Sequence, residues 1–226
     1  MTVASALAQI PTEAHLATLP TRIGLPQAEC FPKDLTRSGI AELMDGCSKM
    51  AVLQTMQLTL SPCCPNDRAD FIDLELDPEV MRFLNGGHAV DHEQSEPNAT
   101  FLMPRGTEPY VWAARRTANG AFVGWFCLWP ESEGLAELGY RLRRMDWGQG
   151  LASEGASALV SWGFRSGRYD KIVATTMAVN HASRRVMEKI GLTYARTVCV
   201  EWPDPIPGSE HGEVWYELMR SEWNGS

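Results

Sequence analysis

Several signatures are missing from this 226-residue chain, and each absence removes a class of function. No apolar run approaches the roughly 20 residues of a membrane-crossing helix. None of the six cysteines (Cys30, Cys47, Cys63, Cys64, Cys127, Cys199) forms a Cys-x-x-Cys pair. Cys63 and Cys64 are neighbours, poorly placed for a structural bridge or a zinc site. The thiols therefore read as reduced and the compartment as the cytoplasm. No His-Glu-x-x-His is present. His88 and His92 are four apart, but their segment lacks helical pattern, so no metal is expected. The N-terminus has no early Lys or Arg, Arg22 being the first, which argues against a secretory signal and an Arg-rich transit peptide. Positive charge is in short supply: 20 Lys and Arg against 28 Asp and Glu leave a net −8. That balance speaks against nucleic acid as a partner and favours a cationic substrate. No internal repeat is found. Hydrophobic content of 44% is that of a globular chain, long enough for one domain, or one domain with an extension.

What the chain does have is Trp147-Gly148-Gln149-Gly150-Leu151-Ala152-Ser153-Glu154. The strand-like run Leu138–Leu142 leads into it. Ala152, Ala156, Leu159, Val160 and Phe164 then recur at helix-face spacing. A tight glycine turn between a strand and a helix start lets the backbone approach a ligand closely. The first helical amides have no internal partners, so the place suits a phosphate. A structural glycine turn remains the plain alternative. The dinucleotide fingerprint is excluded, because it needs glycine where Ser153 stands and an acid closing the next strand; Asp170 precedes that strand instead. The nucleotide-triphosphate loop needs Gly-Lys-Ser/Thr, which the chain lacks.

Ile172–Val179 reads as a buried strand ending at Asn180. Asn180-His181-Ala182-Ser183-Arg184-Arg185-Val186-Met187-Glu188-Lys189-Ile190-Gly191-Leu192 follows, with Ala182, Val186 and Ile190 on one helix face and Gly191 as a stop. With both motifs in order, the chain resembles the GNAT superfamily of acetyl-CoA-dependent N-acetyltransferases. It looks most like the branch related to the ribosomal-protein N-terminal acetyltransferases. That branch carries Trp-Gly-x-Gly-x-Ala and then Asn-x-x-Ser-x-x-x-x-x-Lys-x-Gly-Phe; Leu192 stands in place of the Phe. Upstream, Thr55–Leu60 resembles the family's first strand and Asn66–Leu84 its first helical region. The resemblance runs to about Leu218.

The remaining pattern agrees. Tyr110–Thr117 and Phe122–Trp129 read as a hairpin around Ala118-Asn119-Gly120-Ala121. Glu137–Arg143, Thr193–Glu201 and Glu213–Arg220 read as further strands, with a Pro/Gly-rich loop at Trp202–Gly212. The expected fold is α+β, a GNAT-like mixed, mostly antiparallel central sheet flanked by helices. Residues 51–226 are expected to form that domain, and residues 1–50 an N-terminal extension, with a short helix at Gly39–Met50. His88–Arg105, where the family usually has a second helix on the acceptor side, shows weak helical pattern.

The resemblance implies attack of an amine on the acetyl thioester. An α-amino group titrates near ~8 and a lysine near ~10.4, so a general base helps either at neutral pH. Glu137 is the first expected base: Glu137, Gly139 and Arg141 point to one side of their strand, and Leu138, Tyr140 and Leu142 to the other. A structural pairing of Glu137 with an arginine is the alternative. Glu201 is the second candidate and His211 the third. Met187 occupies the family's usual tyrosine position, and the resemblance to the related branch implies that Ser183 serves the departing thiolate instead; an ordinary first-turn residue is the alternative. The family's oxyanion amide falls around Leu142. Cofactor contacts are expected from Leu142, Arg143, Arg144, Trp147, Gly148, Gln149, Gly150, Leu151, Ala152, Ser153 and Asn180. Arg141, Arg184 and Arg185 are further basic residues near the same place; a solvated basic edge is their other reading. Acetyl-CoA is thus the expected cosubstrate and a small-molecule or peptide amine the acceptor, in a protein with no membrane partner and with homodimerisation left open. A CoA-binding sensor or scaffold module without turnover is the competing function.

Overall fold

The computed structural model describes residues 2–3, 50–84, 106, 108–199 and 205–225. Among them, nine strands join one sheet in the order β2-β3-β4-β5-β6-β7-β9-β8, with β1 on an edge of β6. The strands are β1 (Thr2–Val3), β2 (Leu53–Gln54), β3 (Leu58–Pro62), β4 (Val111–Arg116), β5 (Phe122–Ser132), β6 (Gly134–Leu142), β7 (Tyr169–Met177), β8 (Thr193–Val198) and β9 (Glu213–Met219). The helices are α1 (Arg68–Leu76), α2 (Pro78–Met81), α3 (Leu151–Arg165) and α4 (His181–Lys189). Only β6 and β7 pair in parallel; every other pairing is antiparallel. This is the expected α+β fold with a mixed, mostly antiparallel sheet.

Local chemistry explains the elements. The β4–β5 hairpin turns at Gly120, whose φ is +71°, and Asn119 Oδ1 accepts a bond from the Ala121 amide at 3.0 Å. The expected single helical region at 66–84 is broken at Asp77. Pro78 pushes the preceding residue to extended backbone, and Asp77 sits at ψ 111° while its carboxylate caps the Glu79 amide. The parallel β6–β7 pair needs a crossover, and α3 supplies it. Glycines let α3 lie close to the sheet: a Cβ on Gly155 would meet the Phe126 ring at 2.4 Å, and one on Gly163 would meet Leu128 at 2.6 Å.

The sheet therefore has two distinct faces. On one, α3 and α4 cover Phe126, Leu128, Leu138, Tyr140, Ile172, Ala174, Val214 and Tyr216 in the main core. On the other, Phe71, Leu74 and Val80 from α1 and α2 pack against Val111, Ala113, Phe122, Trp125 and Cys127. The alternation expected along β6 holds: Leu138, Tyr140 and Leu142 join the main core, while Arg141 lies over Trp125 on the α1 face, 5.3 Å from its ring centroid.

β6 and β7 stay together only from Gly134/Tyr169 to Glu137/Val173. Beyond Glu137 the strands part. β6 remains paired with β5 to Leu142, while β7 remains paired with β9 to Met177. The slot between them carries β1, where Thr2 pairs with Arg141 and Val3 with Tyr140. Of the N-terminal extension, only Thr2, Val3 and Met50 are among the described residues, so the helix expected at 39–50 lies outside them but for Met50. The weakly helical segment 88–105 lies outside them entirely.

Candidate active site

The slot ends at the glycine turn. Gly148 and Gly150 have φ of +74° and +82°, the left-handed region that suits glycine, and a Cβ at either would have nothing within 4 Å. Gly150 is the N-cap of α3 and offers no side chain to the helix. The Glu154 amide bonds Gly150 O at 3.0 Å. The amides of Gly148, Gln149, Gly150, Leu151, Ala152 and Ser153 have no partner among the described residues. Six unpaired donors at a helix N-terminus, beside open space, make a site for an anion.

Side chains of the loop are tied back from that site. Arg116 Nη2 reaches Asp146 Oδ1 and Gln149 Oε1, both at 2.6 Å, and Gln149 Nε2 donates to Met145 O at 2.8 Å. Trp147 Nε1 donates to Leu142 O at 2.8 Å, clamping the turn to the end of β6. Glu154, in the first turn of α3, accepts from the Gln57 amide at 2.7 Å and from Gln57 Nε2 at 2.8 Å. Burial alone would raise its carboxyl; the bonds from Thr55 and Gln57 together outweigh burial and hold it below the usual range.

The five arginines part company. Arg141 is buried and bonds Glu75 Oε1 of α1 at 2.9 Å, with side chains 2% and 1% exposed. It belongs to the α1 packing and not to a solvated basic edge. Arg184 donates to Tyr216 Oη at 3.1 Å and Ala178 O at 3.0 Å. Arg143 donates to Phe122 O at 3.3 Å. Arg144, 62% exposed and 3.5 Å from Asp77, stands nearest the free amides in sequence. Arg185 is exposed.

On the core face of the slot, Tyr140 Oη and Ser183 Oγ are 3.0 Å apart. Both residues are buried at 0% exposure, and burial raises the Tyr140 phenol well above its usual value. Asn180 caps α4: its Oδ1 accepts from the Ser183 amide at 3.2 Å and its Nδ2 donates to Thr176 Oγ1 at 3.0 Å. Its side chain thus orients Ser183. Arg143 bonds Val123 O of β5 through its amide. By the alternation of an antiparallel ladder, the Leu142 and Tyr140 amides turn to the slot edge of β6.

On the α1 face, Glu137 is 4% exposed and accepts a bond from Thr175 Oγ1 of β7 at 3.0 Å. The Thr175 hydroxyl thus stands against its carboxylate from the neighbouring strand. Thr175 pairs with Trp215 and Met177 with Glu213, so Glu213 shares the face of Glu137 at the open end of the slot. Glu213 is half-buried and has no hydrogen-bond or ionic partner among the described residues. Burial lifts its carboxyl from 4.5 to about 7. Glu201 lies outside the described residues. His211 is exposed, in the 3-10 turn Ser209–His211, 3.6 Å from Glu210.

Sequence reasoning brought together β6, the glycine turn, Asn180 and Ser183. It missed Tyr140, Thr175 and Glu213. The alternation Glu213, Trp215, Glu217 against Val214, Tyr216, Leu218 was available as a signal, but the strand next to β9 was not.

A family model described as acetyltransferase (GNAT) domain matches residues 57–193. The chain is 34% identical over 181 residues to FsC-acetyl coenzyme A-N(2)-transacetylase of Aspergillus fumigatus, over 76% of this chain and 77% of that protein. The solved spermidine N-acetyltransferase of Vibrio cholerae, in complex with CoA and spermine, aligns with a TM-score of 0.57 at 16% identity, over 74% of this chain and 98% of the other. RimL, a ribosomal L7/L12 alpha-N-protein acetyltransferase in complex with coenzyme A, aligns with a TM-score of 0.59 at 17% identity, over 78% and 100%. At such identities the last two likenesses show the shared fold.

Proposed function

Because this chain belongs to the GNAT acetyltransferase family and is an N-acetyltransferase by that membership, we propose that it acetylates the primary amine of a cationic acceptor along the slot of β6. The observation that carries the reading is the set of unpaired amides from Gly148 to Ser153 at the mouth of a slot between two parted strands. Acetyl-CoA, when bound, supplies an activated acetyl thioester.

The residues present fit that cosubstrate. The six amides offer donors to a pyrophosphate, and the bare glycines leave room for it. Arg144 adds charge, and Arg143, Trp147 and Gln149 hold the loop in shape. The slot-edge amides of Tyr140 and Leu142, on the edge where β1 pairs, can donate to a carbonyl oxygen as charge develops once β1 gives way to the substrate. The Tyr140–Ser183 hydroxyl pair supplies a proton donor on the core face for a departing sulfur. Glu137, oriented by Thr175, presents a carboxylate on the α1 face for the amine. Glu201 is the second candidate base from the sequence and lies outside the described residues. The acidic residues Glu137 and Glu213 share that face and favour a cationic acceptor, in line with the net charge of −8. The fungal relative's name points to transfer at an N(2) nitrogen, which agrees with a small amine or an amine-bearing compound as acceptor. Unpaired Cys63, Cys64, Cys127 and Cys199 agree with action in the cytoplasm.

The test is thiol release from acetyl-CoA across a panel of small amines and N-terminal peptides, with calorimetry of CoA binding. Gly150→Asp has space for its Cβ, so its effect comes from strain at φ +82° and from a negative charge among the amides. It is expected to abolish binding while the fold persists. Unchanged affinity in that variant removes the site. Tight binding with no release from any acceptor supports a sensor instead.

A further inference from the structure

We propose that Glu213 is the general base of the transfer, its carboxylate on the acceptor face of β9 taking the proton from the acceptor's ammonium group while Glu137 anchors that group. The inference rests on the acetyltransfer reading above. Register places the residue. Met177 of β7 lines the slot beyond the point where β6 leaves, and Glu213 is its cross-strand partner. Directly opposed residues hold their Cβ atoms about 5 Å apart, and residues two along a strand lie roughly 7 Å apart. Glu213 is therefore one row nearer the open end than Thr175, whose hydroxyl bonds the Glu137 carboxylate from one row beyond its register partner Val173, and one strand to the side. That separation leaves an amine room to lie between the two carboxylates.

Availability distinguishes Glu213 from the other acids. Glu75 holds Arg141, Glu154 holds Gln57, Glu188 accepts from Tyr216 and Glu217 holds Lys171. Glu137 accepts from Thr175. Glu213 is the half-buried carboxylate without a partner among the described residues. Among the described residues, the surrounding charges are engaged elsewhere. Arg196 of β8 lies over Trp215 at 4.3 Å, Lys171 of β7 holds Glu217, and His211 lies 3.6 Å from Glu210. Arg184 of α4 bonds Tyr216 on the opposite face. The nearest residue of β8 is Val198, which is neutral, and the Cys199 thiol lies beside Gly212. Nothing here lowers the carboxyl, and burial lifts it to about 7. A base poised there is half ionised at neutral pH and matched to its task.

The proton balance is simple. An N–H bond of the ammonium breaks and an O–H bond forms on Glu213, cancelling one positive and one negative charge. The neutral amine carries its lone pair to the thioester carbon; the N–C bond forms, the C–S bond breaks, and the second amine proton ends on the thiol. Glu213 then returns its proton to water.

The experiment compares wild type, Glu213→Gln, Glu213→Asp and Glu137→Gln on the best acceptor of the amine panel, measuring kcat/KM from about pH 5.5 to 10, a range that spans the carboxyl and amine titrations. Wild type is expected to rise with an inflection near 7. Glu213→Gln is expected to lose that inflection and about 100-fold in rate at neutral pH, with the deficit shrinking as the amine deprotonates unaided. Glu213→Asp keeps an inflection. Thermal melts give an independent readout. The folded protein holds the Glu213 proton more tightly than the unfolded chain does, so ionisation opposes folding. The melting temperature of Glu213→Gln should therefore match wild type near pH 4.5 and gain on it until about pH 7, then hold its lead. An active wild type whose inflection survives in Glu213→Gln, or vanishes only in Glu137→Gln, overturns the assignment. A wild type inactive on every acceptor overturns the function itself, and the base with it.

Discussion

Removing the carboxylate of Glu75 tests how the acceptor face is held. Arg141 reaches it from β6 at 2.9 Å across the interior, and the two side chains are 2% and 1% exposed. Burial pulls the Arg141 guanidinium below its usual value, opposed by Glu75. Its Nε has no partner among the described residues. The cation is thus sustained by Glu75 and by the Trp125 ring, 5.3 Å away. Glu75→Ala leaves it buried and unpaired. Breaking such a pair costs about 3–5 kcal/mol. For a protein of this size each kcal/mol shifts Tm by about 2–4 °C, so a fall of about 10 °C is expected. Glu75→Gln keeps an acceptor oxygen and should lose less. The double variant Glu75→Leu, Arg141→Met removes both charges together and should recover most of the loss. Thermal melts and urea titrations at neutral pH measure all three. A Glu75→Ala protein within about 1 kcal/mol of wild type would mean that water reaches Arg141. A double variant as unstable as the single one would place the cost in lost packing, not in the stranded charge. Either result refutes the reasoning.

Two further outcomes can be checked directly. Tyr140→Phe and Ser183→Ala each break the hydroxyl pair at 3.0 Å, and each is expected to lower kcat by about 10- to 100-fold with little change in CoA affinity by calorimetry; a shift in affinity alone would assign the pair to binding. Deleting residues 1–50 frees the edge of β6 that Thr2 and Val3 occupy, so the truncated chain should bind acetyl-CoA more tightly, by the reciprocal of the fraction of full-length chains in which the slot is free; weaker binding with an intact fold would show that the segment supports the slot.

Much of this architecture was legible because the signals are local. Gly148 and Gly150 announce a left-handed turn, and Asn180 and Gly191 bracket α4, with Gly191 at φ +92°. The two-residue period along β6 alone separates Glu137 and Arg141 from Leu138 and Tyr140. What was not legible depends on partners distant in sequence. Arg141 stands beside Arg143 and Arg144 and looked like part of a basic edge; its partner lies 66 residues earlier, on a helix laid over the other face. Glu213 looked like the start of an ordinary strand, and its proposal as the base comes from its place beside Met177, with no cation paired to it among the described residues. Ser183 was found from its motif, but the tyrosine it meets is 43 residues away.

The two-sidedness of β6 has a kinetic consequence. The hydroxyl pair approaches its slot edge from the α4 face, and the carboxylates approach from the α1 face. On the function proposed above, the strand acts as a partition, with the two reactants on different sides and neither blocking the other's entry. Both can be seated at once. Cys127, the cysteine nearest Glu137 on the sheet, is fully buried and its thiol is pushed up by burial, so it is unsuited to carry an acetyl group between separate half-reactions. Initial-rate lines at several fixed concentrations of the second reactant should therefore intersect instead of running parallel, and desulfo-CoA should compete with one reactant only.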